Sequence, residues 1–287
     1  MNVPSIRSGI RILGILLAGS LAVAPGLSAQ QEQKPPSLKQ DTQTKQAPSA
    51  APQVEPPKSD PEEDAAYKAF YDVKADALDQ RIKLGEQFLQ RYPNSKYGSQ
   101  VYAGLTQAYY GKEQYDKMYA AADKALALKP DNVDVLVLVG WVIPHNYDPN
   151  DMDADRRLDK AEGYLTHALA LLPTVVKPDN MTDDQFAKAK TENTAMAHSG
   201  LGLVDFRRQD WDKSAKELDQ AVKLSAKPDQ VDYFVMGRDL QLLKRYAESA
   251  DAYQKCAQMP GGVQDRCKQL GNDVKKLAAS QPAQPKP

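Results

Sequence analysis

The feature that most constrains this chain is a repeat of small residues at nearly constant spacing. Thr106 and Gly140 are 34 residues apart, Gly202 and Gly237 are 35 apart, and Gly140 to Gly202 spans 62, close to two periods. Each small residue sits in a similar apolar stretch: Val101–Tyr109, Val135–Trp141, Ala197–Leu203 and Asp232–Arg238. A second set of stretches follows each first one: Lys124–Pro130, Thr166–Pro173, Gln220–Leu224 and Gln254–Pro260. In these, Ala125, Ala168, Ala221 and Cys256 occupy equivalent places, and Tyr115, Trp211 and Tyr246 precede three of them. A unit of this length is one helix pair that cannot bury its apolar face alone, so neighbours must stack. A small residue lets two helix backbones approach, and the Pro after a second helix stops it.

Local signals agree with helices throughout 61–279. Pro61-Glu62-Glu63, Asn94-Ser95, Asp131-Asn132, Asp210 and Pro228-Asp229 supply helix starts, and Thr182-Asp183-Asp184 marks another. Gly111-Lys112-Glu113 and Leu243-Lys244-Arg245 read as the turns inside pairs. Two departures from the period stand out. An insertion runs from Ile143 to about residue 160, with His145 in a loop and a helix from Arg157 to Leu171. A second, after Pro173, precedes an unusually long first helix.

The period, the small residue of the first helix, the Ala of the second and the closing Pro resemble the tetratricopeptide repeat family. The resemblance covers 61–279 and implies an all-α fold: a right-handed α-solenoid of stacked antiparallel helix pairs. About five repeats are expected, the first a degenerate one at Glu62–Pro93, with a C-terminal capping helix over Val263–Ala279. The family's first helices line a concave, protein-binding face. That carry-over points to Gln107, Tyr110, Trp141, Leu203, Phe206, Arg207, Phe234, Arg238 and Gln241 as the groove, each with packing against the next repeat as the alternative. The family's Asn-and-basic clamp for chaperone carboxy termini is missing, because its Asn slots hold Gly104, Leu138, Gly200 and Val235. The stretch Phe88–Tyr97 is similar to periplasmic repeat proteins of the cell envelope, including outer-membrane assembly lipoproteins and Tol-Pal-associated factors. The chain lacks their lipoprotein Cys or coiled-coil start, so that resemblance implies only compartment and partner class.

The ends read differently. Arg7 and Arg11, the apolar run Ile12–Ala24 and Leu27-Ser28-Ala29 have the order of a signal peptide over 1–29. The alternative is a retained membrane anchor. Residues 30–60 are rich in Pro and Gln, with Leu38 and Val54 the only large aliphatics, and read as an extended linker. Residues 280–287 read as a disordered tail.

Other chemistry is sparse. Net charge is −1, from 37 basic and 38 acidic residues, which does not suit a nucleic-acid partner. Cys256 and Cys267 are expected to pair in an oxidising compartment, the alternative being two free thiols. Asp151, Asp153, Asp155, Asp159 and Glu162 have the spacing of a calcium loop, but its sixth place holds Arg156 where the turn needs Gly. They read instead as an acidic helix entrance. His145, His167 and His198 have no metal-ligand spacing, and no nucleophile or phosphate-loop motif is present. The expectation is a non-enzymatic protein without metal or cofactor. It would be periplasmic or secreted and bind other proteins or peptide segments, or serve as an anchored envelope assembly factor if the N-terminal segment stays.

Overall fold

The computed structural model describes residues 60–280. The expected signal peptide, all but the last residue of the linker, and the tail beyond Ser280 lie outside the described residues. Asp60, placed at the linker's end, instead caps α1 (Pro61–Tyr71): its carboxylate accepts the Glu62 amide, with Pro61 at the first helical position.

Ten further helices follow: α2 (Leu78–Arg91), α3 (Gly98–Gly111), α4 (Tyr115–Leu128), α5 (Val133–His145), α6 (Ala154–Leu171), α7 (Asp183–Arg207), α8 (Trp211–Leu224), α9 (Gln230–Leu242), α10 (Tyr246–Gln258) and α11 (Gln264–Ser280). A 3₁₀ turn at Leu172–Thr174 extends α6. The helices pack as consecutive pairs α1/α2 to α9/α10, and α11 lies on α10. Five pairs and a terminal helix are what the repeat arithmetic implies.

Side-chain caps set five of the starts, those of α1, α5, α7, α8 and α9. Asn132 accepts from the Val135 amide (3.3 Å) and Asp229 from the Val231 amide (2.9 Å). Thr182 and Gln185 form a reciprocal capping box at the head of the long α7. Asn94-Ser95 does not start α3. Ser95 turns the chain, accepting from the Tyr97 amide (2.9 Å), and the helix begins at Gly98. Three turns inside pairs share one backbone device. Glu113, Gln209 and Lys244 adopt φ of 56°, 65° and 60°. Each is followed by an amide that reaches back five residues: Gln114 to Tyr109, Asp210 to Asp205, and Arg245 to Leu240. That left-handed residue ends the first helix and reverses the chain.

The core runs along the stack. α5 is buried almost all round, from Val135 to Pro144 without interruption, because neighbours cover it on every side. The small positions lie where two helices meet. Gly140 faces Leu165, Gly202 faces Leu218 and Gly237 faces Tyr253, each a first-helix residue against the second helix of its own pair. Ala125, Ala168, Ala221 and Cys256 are fully or almost fully buried. Cys256 and Cys267 are disulfide-bonded, with α-carbons 5.9 Å apart, which ties α11 to α10 over Val263 and Val274.

The insertion is shorter than the sequence suggests. Ile143, Pro144 and His145 belong to α5, and α6 begins at Ala154, so residues 146–153 alone connect the two. Pro144 is tolerated because it sits in the last turn, where its missing amide costs one bond, and the Asn146 amide still reaches Val142 (3.1 Å). Among the described residues no helix is long and apolar enough to cross a membrane.

Candidate binding face

The first helices form one inward layer. α5 packs on α3 and α7, and α7 packs on α9, while the second helices make no comparable contacts among themselves. A layer whose members lie closer together than those of its partner layer is the inside of a curve. Side chains from distant pairs meet across it. Asn180, just before α7, donates to the Tyr71 hydroxyl of α1 (2.9 Å). The charge of Asp229, at the head of α9, reaches Tyr110 of α3 and His145 of α5.

The expected groove residues divide by burial. Gln107, Tyr110, Arg207, Arg238 and Gln241 keep part of their surface exposed. Leu203 (2% exposed), Phe206 (9%) and Phe234 (4%) do not; they are core, packed with Leu218, Val235 and Tyr253, and are withdrawn from the groove. The reason is that they pack on the second helix of their own pair: Phe206 meets Trp211 of α8, centroids 5.5 Å apart, and Phe234 meets Tyr253 of α10, 6.3 Å apart. Trp141 is buried too, at 7% exposed: its indole N–H donates to Ser199 Oγ (3.1 Å), and its ring meets Tyr110 edge-on, centroids 6.2 Å apart.

Around Trp141 lies a polar cluster that the sequence did not assemble. Ser199 of α7 donates to Asp232 Oδ1 of α9 (2.7 Å). Burial and the neighbouring Asp229 push the Asp232 carboxyl well above the ordinary range. His145 lies against the Trp141 ring, centroids 3.8 Å apart, and its Nδ1 is 2.8 Å from the Trp141 carbonyl. A carbonyl only accepts, so Nδ1 carries the proton. Burial lowers the His145 pKa, against the pull of Asp229, which keeps the ring neutral. Its Nε2 and Asp229 Oδ2 are both buried without a partner. Arg207 donates from Nε (3.3 Å) and Nη2 (3.2 Å) to the Pro144 carbonyl and covers the Tyr147 ring, and burial lowers its pKa. In sequence, Asp229 reads only as a helix start and His145 as a loop residue. A Trp and His four apart on one helix face was the available signal.

Four of the acids with calcium-like spacing pair off with arginines instead. Asp159 and Glu162 bind Arg208 (2.5 and 2.6 Å), Asp151 binds Arg157 (3.0 Å) and Asp153 binds Arg156 (2.7 Å). Asp155, Asp159 and Glu162 ride on α6, so the calcium-like spacing is wound around a helix rather than around an ion. His167 meets Asp131 (2.8 Å) and His198 meets Glu217 (2.6 Å), at separate places. Among the described residues no three His, Cys, Asp or Glu are grouped to hold a metal.

No protein-family model matches the chain, and no curated protein does. Solved structures do. A characterised pilF of Pseudomonas aeruginosa is similar at 17% identity and TM-score 0.53, over 76% of this chain and 86% of that one. A thermophilic tetratricopeptide protein of Thermus thermophilus matches at 15% identity and TM-score 0.45, over 76% of this chain and 99% of its own. The P58(IPK) tetratricopeptide domain matches at 13% and 0.31, over 76% and 66%. With the first of these likenesses, the 34- to 35-residue period and the stacked pairs together, this chain has the fold of the tetratricopeptide-repeat proteins.

Proposed function

We propose that this protein is an exported scaffold of the bacterial cell envelope that holds a segment of another protein against the inward face of α3, α5, α7 and α9. The observation that supports this reading is the layer itself: four consecutive first helices pack side by side in it, and Gln107, Tyr110, Arg207, Arg238 and Gln241 on those helices are only partly buried. A preformed wall reduces the ordering cost of binding an extended or helical segment. Export is supported by the order of charged, apolar and small residues over 1–29 and by the Cys256–Cys267 disulfide, a bond favoured outside the cytosol.

A photo-crosslinking residue at Gln107 tests the face, with one at Lys124 on the exposed side of α4 as the control. A partner crosslinked from Gln107 alone, and lost in an Arg238→Glu variant, is the expected result. Equal capture from both positions would move the interface off this face. N-terminal sequencing of the mature protein tests export: a start near Gln30 is expected, and an intact Met1 in the membrane fraction would favour the anchored form.

A further inference from the structure

The head of α9 closes on the inward layer through a short chain of hydrogen bonds. The Trp141 indole N–H of α5 donates to Ser199 Oγ of α7 (3.1 Å), and the Ser199 hydroxyl donates to Asp232 Oδ1 of α9 (2.7 Å). Asp232 is 3% exposed and Trp141 is buried with it. Three residues back, at the same helix entrance, Asp229 keeps Oδ1 on the Val231 amide (2.9 Å), while its Oδ2 is buried without a partner. His145 Nε2 of α5 is buried without one too. The contact is thus rich in acceptors and poor in donors, and a buried acceptor without a donor is costly. An ionised carboxyl there costs more still. A neutral Asp232 lets the contact stay dry. A charged one brings two carboxylates together on one side of the helix, and the relief for that is water.

We propose that the first turn of α9 is a latch on the inward layer, closed on α5 and α7 while Asp232 is a neutral carboxylic acid and lifted when that acid releases its proton to solvent. Burial first, and then the charge of Asp229, raise the Asp232 pKa, so the closed form holds the proton more tightly than the lifted form, in which Asp232 is hydrated. By linkage the latch is shut at low pH and lifts as pH rises through the raised pKa. The other groups nearby are engaged elsewhere. His145 of α5 is neutral because burial lowers its pKa. Arg207 of α7 is held by the Pro144 carbonyl. His198, next to Ser199 on α7, is turned to Glu217 of α8 (2.6 Å). Lys255 of α10 covers the Tyr233 ring, and the charge of Asp219 of α8 reaches the same tyrosine. Asp239, another buried carboxyl of α9, lies two turns on and accepts from Ser214 of α8 (2.6 Å). Lifting uncovers Tyr110, Trp141 and His145 on the inward layer, a consequence that rests on the scaffold reading above.

The test follows Trp141 in the full mature protein. Trp211→Phe leaves Trp141 as the one indole, and its quenching by acrylamide is measured from pH 5 to 9. Circular dichroism at each pH separates lifting from unfolding. A several-fold rise in the quenching constant is expected as pH rises, over a single-proton transition with helix content unchanged. Asp232→Asn keeps an acceptor for Ser199 and cannot ionise, so its quenching should stay low throughout. Asp229→Asn keeps the cap oxygen, and so the start of α9, but removes the neighbouring charge, so its transition should move to lower pH. Asp239→Asn should leave the transition where it is. A flat profile in the parent, an equal rise in Asp232→Asn, an unmoved transition in Asp229→Asn, or a rise that comes only with loss of helix overturns the latch. If Asp232→Asn does not fold, the direction of the Asp229→Asn shift decides alone. The Gln107 crosslink is read at both ends of the titration. A partner captured with the latch lifted and lost with it shut is expected. Equal capture in both states overturns the control of access. No capture in either, with Trp141 still titrating, removes the scaffold reading and leaves the latch.

Discussion

Leu165 fills the space that a side chain at Gly140 would need: a β-carbon there would sit 2.6 Å from Leu165 Cγ and 3.2 Å from the Ala161 carbonyl. The approach of α5 to α6 therefore depends on the missing side chain, and Leu218 at Gly202 repeats the arrangement at 2.6 Å. Gly140→Ala should destabilise by about 1–3 kcal/mol, the usual cost of overpacking, despite Ala's better helix propensity. Gly163, on the exposed side of α6, would have nothing within 4 Å of an added β-carbon, so Gly163→Ala should stabilise by about 0.5–1 kcal/mol. Denaturant melts of the two variants check the pair, and a shared sign would refute the close-approach account.

The three left-handed turn residues offer a second measurement. Lys244 is exposed and holds φ at 60°, a conformation that costs an L-residue about 1–2 kcal/mol relative to Gly. Lys244→Gly should raise Tm by about 2–4 °C, less whatever Gly adds to the entropy of the unfolded chain. Lys244→Val should lower it. Scanning calorimetry of both, with Gln209→Gly as a repeat-equivalent check, decides whether the turn geometry is the cause.

Asp239 makes stability depend on pH. It is fully buried, one oxygen accepts from Ser214 (2.6 Å), the other has no partner, and burial pushes its pKa up to about 8. Asp205, half-buried, is pushed up to about 6, also by burial. A folded pKa above the unfolded one means that the native state binds more protons between them, so stability falls as pH rises. The contribution of Asp239 is complete below about pH 4, is lost progressively up to about pH 8, and is flat beyond. Asp239→Asn keeps an acceptor for Ser214 and should remove the part of the slope between pH 6 and 8. Melting temperatures from pH 5 to 9 test this, and a variant as pH-sensitive as the parent would contradict it.

The Cys256–Cys267 bond closes a short loop, with a sequence separation of 11. Reducing it should cost about 3 kcal/mol by loop entropy. The loss should be concentrated in α11, whose Val274 and Cys267 are fully buried against α10. Hydrogen exchange with and without reductant checks this. Protection lost evenly along the chain would mean that the bond does not act as a clasp on the last helix.

The sequence by itself determined the helices, their pairing and the order of the stack. Those follow from short-range physics: Gly140, Gly202 and Gly237 at one period, Asp229 and Thr182 as caps, and Pro130, Pro173 and Pro260 as stops. It also supplied the disulfide, because two cysteines flank one turn. What it could not supply was which first-helix side chains stay free. Leu203, Phe206 and Phe234 have the right period for an inward face, yet they pack into a core shared with α8 and α10, Phe206 on Trp211 and Phe234 on Tyr253. The stacking of the pairs also brings Asp229 within electrostatic reach of Tyr110, more than a hundred residues earlier, and leaves His145 Nε2 and Asp229 Oδ2 buried without donors. Periodicity states which face a residue is on; how tightly that face bends is a sum of packing angles over every pair, and only the tertiary structure decides it.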